Sequence, residues 1–296
     1  VPELPDLEYI VSVLKPRVAG RRIEEVLLKE PIVIRMLLPD AGGFAEALKG
    51  RTIEDLARRG PFLDFSLTPG AELIVHCMLA GRLQIASPEE KPVAHLCCAL
   101  RLDSGEWLRY GDDKRMGKVY LTASGRHESI PGFREQGVEI LSADFTRERF
   151  ESIIKGRRHQ VRVFLMDQAS LSAIGNAYAD EILFAAGIHP KTSCGSLSEE
   201  QRGRLYTAIR GVMAWGIDHV RKAGKPIEVK VRDHVKVRGR KDEPCPVCGT
   251  KIRRAGVRGY DSFFCPQCQP APWTGGTGGA RKDGRPSTRR NREIPW

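Results

Sequence analysis

Two cysteine knuckles late in the chain, Cys245-Pro246-Val247-Cys248 and Cys265-Pro266-Gln267-Cys268, constrain its fold more than any other feature. Four thiolates at this spacing suit one tetrahedral zinc ion, and a site filled by four protein ligands is structural rather than catalytic. A redox pair is the alternative reading. The segment between the knuckles carries Lys251, Arg253, Arg254 and Arg258 beside Tyr260, Phe263 and Phe264. It reads as a basic hairpin held by metal and suited to phosphate, with the two phenylalanines as its core. The other four cysteines, Cys77, Cys97, Cys98 and Cys194, read as ordinary buried thiols.

Charge agrees with a polyanionic partner. The net charge is +11 with a pI near 9.4, and nucleic acid is the commonest partner for such an excess. A basic protein with no such partner is the bland alternative. A chain of 296 residues suggests about two domains, and 41% hydrophobic residues can build a core. No apolar run approaches the ~18 residues of a membrane span, and the start lacks a secretory layout. The expectation is therefore a cytoplasmic protein with no membrane partner.

The start of the chain, Pro2-Glu3-Leu4-Pro5-Asp6, carries a different chemistry. Val1 reads as a GTG start codon translated literally, and its removal would leave Pro2 with a free secondary amine. A terminal amine titrates roughly two and a half units below lysine, so more of it is nucleophilic at neutral pH. Attack on an aldehyde-level carbon gives an iminium, and Glu3 lies next door to move protons. With Val1 retained, Pro2 is an amide and this route is closed. A plain helix start is the alternative.

Leu7, Ile10, Val11 and Leu14 form one apolar face, which predicts a helix over Asp6–Leu14 stopped by Pro16 and Gly20. Short β-type runs follow, among them 24–28, 62–67, 73–79, 95–102, 107–110 and 118–122. Their turn signals predict a sandwich or barrel. From about Glu148 the pattern turns helical, with helices expected over 150–156, 163–169, 177–186 and 199–223. Within Leu165–Glu181 one helix should end and another begin after a small-residue turn through Gly175-Asn176. Backbone amides at such a helix start bind phosphate, although an αα-hairpin with a Gly-Asn turn reads the same way. The last stretch joins a glycine run to Arg281, Lys282, Arg285, Arg289, Arg290 and Arg292. It predicts a disordered cationic tail.

Three separated blocks now resemble one family. They are Pro2-Glu3-Leu4-Pro5; Leu165–Glu181 running on through Leu183-Phe184-Ala185-Ala186-Gly187-Ile188-His189-Pro190; and Gly239-Arg240-Lys241-Asp242-Glu243-Pro244-Cys245 leading into the knuckles. In this order, over residues 2 to about 269, they are similar to the formamidopyrimidine-DNA glycosylase/endonuclease VIII family. The resemblance implies an α+β, multidomain fold. An N-terminal β-sandwich catalytic domain would cover 1–145, a helix–two-turn–helix DNA-binding domain 146–228, and a zinc finger 229–270, with the basic tail over 271–296.

The resemblance also implies a bifunctional DNA glycosylase/AP lyase of base-excision repair, acting on damaged double-stranded DNA as a monomer in the bacterial cytoplasm and nucleoid. Pro2 would be the nucleophile on C1′ and Glu3 the acid/base that opens the sugar. Asn176 would contact phosphate. Leu79, in His76–Leu83, and Lys114, Arg115 and Met116, in Asp112–Gly117, would fill the space left by a flipped base. Cys245, Cys248, Cys265 and Cys268 would hold one structural zinc ion.

Four departures bear on activity. Pro61 stands where the family usually has a phosphate-contacting Lys, and proline offers neither charge nor N–H; Arg59 is the substitute at hand. Tyr260 stands at the usual hairpin Arg, with Arg258 two residues earlier. Asp6 replaces the more frequent Glu. The segment 224–245 is too short for the loop that caps 8-oxoguanine, which leaves oxidised pyrimidines, formamidopyrimidines, abasic sites or another lesion as substrates. Two further readings are a non-catalytic or weakly cleaving binder of damaged DNA on the same fold, and a zinc-ribbon protein of transcription or translation.

Overall fold

Leu4, Leu7, Ile10, Leu14 and Val18 are all buried, and this single apolar stripe is why the chain begins with a helix, α1 (Leu4–Val18). The helix runs through Pro16 rather than stopping there. Ser12, whose carbonyl loses its partner to the proline, is exposed to water, and the buried Val18 holds the last turn. Gly20, at φ +77°, then turns the chain. The computed structural model describes residues 2–38 and 42–272. Val1 and the basic tail beyond residue 272 lie outside them.

Contacts divide the chain into two units. The first comprises the chain up to Arg149 with Leu165–Gly175 and Met213–His234; the second comprises Phe150–Phe164, Asn176–Val212 and the chain from Val235.

In the first unit, α1 is followed by β1 (Arg21–Leu28), β2 (Ile34–Met36), α2 (Phe44–Leu48), β3 (Thr52–Arg59), β4 (Phe62–Thr68), β5 (Ala71–His76), β6 (Arg82–Ala86), β7 (Leu96–Leu102), β8 (Trp107–Gly111) and β9 (Lys118–Ala123). The strand order is β2-β9-β5-β4-β3-β1-β7-β8-β6. β1 joins the two halves. Arg21 and Arg22 pair with Ile53 and Thr52 of β3, whereas Ile23 to Leu28 pair with Leu102 to Cys98 of β7. Phe65, Leu73, Val75 and Val119 from one half line one cavity with Leu83, Cys98, Leu100, Leu108 and Tyr110 from the other. The two halves therefore face each other as a sandwich, with alternate side chains filling the space between them.

The helices that follow are α3 (Arg147–Ile154), α4 (Val161–Leu165), α5 (Asn176–Ala186) and α6 (Glu199–Ala223). α4 is shorter than the expected 163–169 and starts earlier. Asp167 explains its end: its carboxylate accepts the Ala169 N–H and the Ser170 hydroxyl, and its carbonyl accepts the Ser170 N–H. Such local bonds compete with helix continuation. In the second unit, Phe150 meets Phe164 and Tyr206 at ring centroid distances of 6.2 and 5.8 Å. The hairpin β10 (Arg253–Val257) and β11 (Tyr260–Phe264) completes that unit. A buried cluster of Phe184, Val237, Cys245, Ile252 and Cys265 joins it to α5.

Candidate active site and nucleic-acid interface

In the first unit, Pro2 and Glu3 are both buried just ahead of α1. Glu3 caps that helix in an extended conformation, and its N–H donates to Asp6 Oδ2 at 2.8 Å. Asp6 accepts Nη1 and Nη2 of Arg232 at 2.8 and 2.6 Å, so the first turn is tied to a residue 226 positions away. The Glu3 carboxylate accepts the Gly175 N–H at 3.1 Å, and the Leu4 N–H donates to Ala173 O at 2.9 Å. A Cβ on Gly175 would lie 2.6 Å from Glu3 Cγ and Cδ. Gly175 is therefore glycine for space; its φ is not positive. A carboxylate fixed in this way beside the chain terminus can take or give a proton at a defined place.

Leu79 sits in the turn between β5 and β6, 55% exposed, and the Gly81 N–H closes that turn on Cys77 O at 2.8 Å. Lys114, Arg115 and Met116 are exposed in the loop between β8 and β9. Arg115 has φ +54° and pairs with Glu30 at 2.9 Å. Asp112 organises this loop, since Oδ1 accepts the Lys114 N–H at 3.0 Å and Oδ2 the Gly117 N–H at 2.7 Å.

Gly60 and Pro61 form the turn between β3 and β4. Gly60 has φ +54°, and a proline after it is the φ pattern of a type II′ hairpin. Glu139 accepts the Gly60 N–H at 2.6 Å and pairs with Arg58 at 2.7 Å. The Arg59 guanidinium donates to Phe133 O at 2.9 Å and lies over the Phe133 ring.

In the second unit, Asn176 begins α5. Arg162, 1% exposed, donates to Asn176 Oδ1 at 2.8 Å, which leaves the Nδ2 donors for another acceptor. Arg162 also reaches Asp180 Oδ1 at 3.0 Å and Asp261 O at 3.0 Å. Asp180 is fully buried and accepts Arg238, the Ser262 hydroxyl and the Phe263 N–H as well. Burial pushes the Glu181 carboxyl up, while the N–H groups of Lys236, Val237 and Arg238 donate to it and oppose the shift. No motif in the sequence marks Arg162, Arg232 or this acidic pair. The signal is there in Asp180-Glu181, two charges inside an otherwise apolar helix, which must find partners.

At the end of the chain, Cys245, Cys248, Cys265 and Cys268 bring their sulfurs within 4.8 Å of one another. The Cys245–Cys268, Cys248–Cys265 and Cys248–Cys268 separations are 3.9, 3.4 and 3.6 Å. A tetrahedral Zn–S length of about 2.3 Å implies sulfurs about 3.8 Å apart, so the quartet fits zinc. Arg258 and Gly259, at φ +47° and +83°, form the hairpin tip with Arg258 exposed, and Tyr260 follows, 55% exposed. Phe264 is buried and Phe263 packs against the cysteine cluster. Among the remaining thiols, burial pushes Cys77 and Cys98 up to about 12, so both stay protonated and inert.

Comparison with known proteins agrees with this layout. Residues 1–119 match the formamidopyrimidine-DNA glycosylase N-terminal domain, 136–225 its H2TH domain, and 242–271 the zinc finger found in FPG and IleRS. The chain is 37% identical over 278 residues to the formamidopyrimidine-DNA glycosylase of Symbiobacterium thermophilum, covering 92% of this chain and 90% of that one. The crystal structure of the MutM (Fpg) protein of Thermus thermophilus superposes with a TM-score of 0.78 at 31% identity, over 90% and 98% of the two chains. The Lactococcus lactis Fpg in complex with abasic-site DNA gives 0.79 at 25% identity, over 91% and 100%.

Proposed function

The chain belongs to the formamidopyrimidine-DNA glycosylase family, and from that premise we propose that it is a bifunctional DNA glycosylase/AP lyase that removes oxidised bases from duplex DNA in base-excision repair. The Pro2 amine attacks C1′ of the damaged nucleotide and the bond from C1′ to the base breaks. Glu3 supplies the proton that lets the sugar ring open, leaving an iminium between Pro2 and C1′. Elimination of the 3′ and then the 5′ phosphate follows from that Schiff base. The observation that carries this reading is the Glu3 carboxylate, buried beside Pro2 and held by the Gly175 N–H at a glycine whose Cβ would displace it. A general acid works only when its geometry is fixed in this way.

The remaining roles divide between the two units. Leu79 and Met116 act as wedges and Lys114 and Arg115 as cationic contacts near the flipped base; Asn176 and Arg258 bind phosphate. Cys245, Cys248, Cys265 and Cys268 hold one structural zinc ion, which supplies folding energy rather than chemistry. We assign catalysis to residues 1–145, DNA docking to 146–228 and the metal finger to 229–270, in a monomer of the bacterial cytoplasm and nucleoid. Among the described residues no helix is long and apolar enough to cross a membrane. Oxidised pyrimidines, formamidopyrimidines and abasic sites are the substrate classes to test.

One observation favours a weakly cleaving binder of damaged DNA. Pro61 offers no charge at the β3–β4 turn, and Arg59 already donates to Phe133 O. The test is to prepare the protein with Pro2 at its terminus and incubate it with duplex DNA carrying one abasic site plus borohydride. We expect a covalent adduct that is lost when Val1 is retained. Tight binding without an adduct would overturn the enzyme reading in favour of the binder.

A further inference from the structure

We propose that Tyr110 and Asp112 are positioning residues that hold the Leu79 turn and the Lys114-Arg115-Met116 loop together as one fork for base flipping. The inference rests on the glycosylase reading and adds to it the device that makes two wedges act as a unit. The topology already sets the loops side by side. One connects β5 to β6 and the other β8 to β9, and β5 is hydrogen-bonded to β9 as β6 is to β8.

The side chains at the loop bases then converge on one hydroxyl. Tyr110, 3% exposed, is paired with Leu83 of β6 and Cys98 of β7. Its hydroxyl donates to Asp112 Oδ2 at 3.3 Å, the oxygen that also takes the Gly117 N–H. A Cβ on Gly81, at the end of the Leu79 turn, would overlap the Tyr110 hydroxyl, and so would a Cβ on Gly117, at the end of the Met116 loop. Neither glycine has a positive φ, so both are glycine for space: the Tyr110 hydroxyl is the nearest atom at each, joined by the Cys77 backbone at Gly81 and by Asp112 Oδ2 and His76 O at Gly117. Burial pushes the Tyr110 phenol far above its ordinary value, which keeps its proton available for Asp112.

A wedge must resist the restacking of the base pair it opens. Leu79 and Met116 are 55% and 42% exposed, so their own packing supplies little stiffness. Stiffness comes instead from the buried Tyr110–Asp112 pair beneath them. Loss of the hydroxyl leaves Oδ2 with one donor fewer and an empty space under both glycines.

The test compares the wild type with Tyr110→Phe and Asp112→Asn, each with Pro2 at the terminus. Single-turnover excision from an oxidised-base duplex should fall on the order of tenfold, the loss expected for one buried hydrogen bond to a charged group. A 2-aminopurine placed beside the lesion should report a slower fluorescence rise on mixing. The borohydride adduct with a single-stranded abasic oligonucleotide, which needs no flipping, should form at the wild-type rate. That adduct and the thermal melt also show that each variant is folded. Wild-type duplex excision by both variants would overturn the inference, and so would equal losses on duplex and single strand. No single-strand adduct from the wild type would instead bring down the glycosylase reading, and this inference with it.

Discussion

The cysteine module and the amino-terminal site are both ordered, but by opposite means. In the module, four ligands close together in the chain bring their sulfurs within 4.8 Å, and the hairpin between them is local. At the terminus, Glu3 meets Gly175 across 172 residues and Asp6 meets Arg232 across 226. A metal staple gathers its ligands at one point and needs little from the rest of the fold. A site assembled across the chain exists only once its unit has folded, so its precision depends on shape and on single hydrogen bonds. The difference predicts where each is vulnerable: the module to loss of metal, the terminus to one added methyl group.

Removing the metal should produce the largest effect. Structural zinc contributes about 10–16 kcal/mol of apparent binding free energy in small fingers. Chelation, or Cys248→Ser, should abolish hydrogen-exchange protection of β10 and β11. We expect duplex affinity to fall on the order of a hundredfold or more as the phosphate contacts are lost. The single-strand adduct on Pro2 should persist. Unchanged protection after chelation would show that the module does not depend on its staple.

Gly175→Ala comes next. The added Cβ must displace the Glu3 carboxylate, and a misplacement of about 1 Å costs on the order of a hundredfold in rate. Zinc content and melting of the finger should not change. A wild-type rate would remove Glu3 from the proton-transfer role.

Arg232→Met tests the tie to Asp6, whose carboxylate belongs to a residue only 7% exposed. Breaking a buried ion pair costs about 3–5 kcal/mol. Arg232 retains 24% side-chain exposure, so we expect about 2 kcal/mol in urea unfolding, below the full cost of that mechanism. The rate should change less than in Gly175→Ala. No loss of stability would show that the pair is dispensable.

The smallest effect sharpens the contrast between partnered and unpartnered carboxylates. Burial pushes Asp64 up to about 6, with the Glu72 charge adding to it, and Asp64 Oδ1 has no hydrogen-bond partner among the described residues. The folded-state value lies above the unfolded one, so the native state holds the extra proton between about pH 4 and 6. This contribution to stability is full below that window and is lost as pH rises through it. Asp64→Asn should flatten that slope in denaturation measured from about pH 4 to 7. An unchanged slope would mean that another group titrates there.

Much of the fold is legible before any coordinates, because its signals are local. The stripe Leu7, Ile10, Leu14 announces α1, and the span 199–223 announces α6. Boundaries fail where a side chain competes with the backbone, as Asp167 does at the end of α4, or where burial outweighs a breaker, as Val18 does after Pro16. β2, β3 and β6 have weaker patterns and become strands through the partners they pair with.

Residue type and spacing give the basic character of the chain, and they point to a metal module and to Pro2, Glu3 and Asn176 as candidates for chemistry and phosphate contact. None of these needs knowledge of distant parts of the chain. Other facts emerge only on folding: Gly175 must be glycine to admit Glu3, Arg232 secures Asp6, and one hydroxyl on Tyr110 lies under both Gly81 and Gly117. They concern the space between residues far apart in the chain, and excluded volume and hydrogen-bond length have no meaning until folding sets the distances.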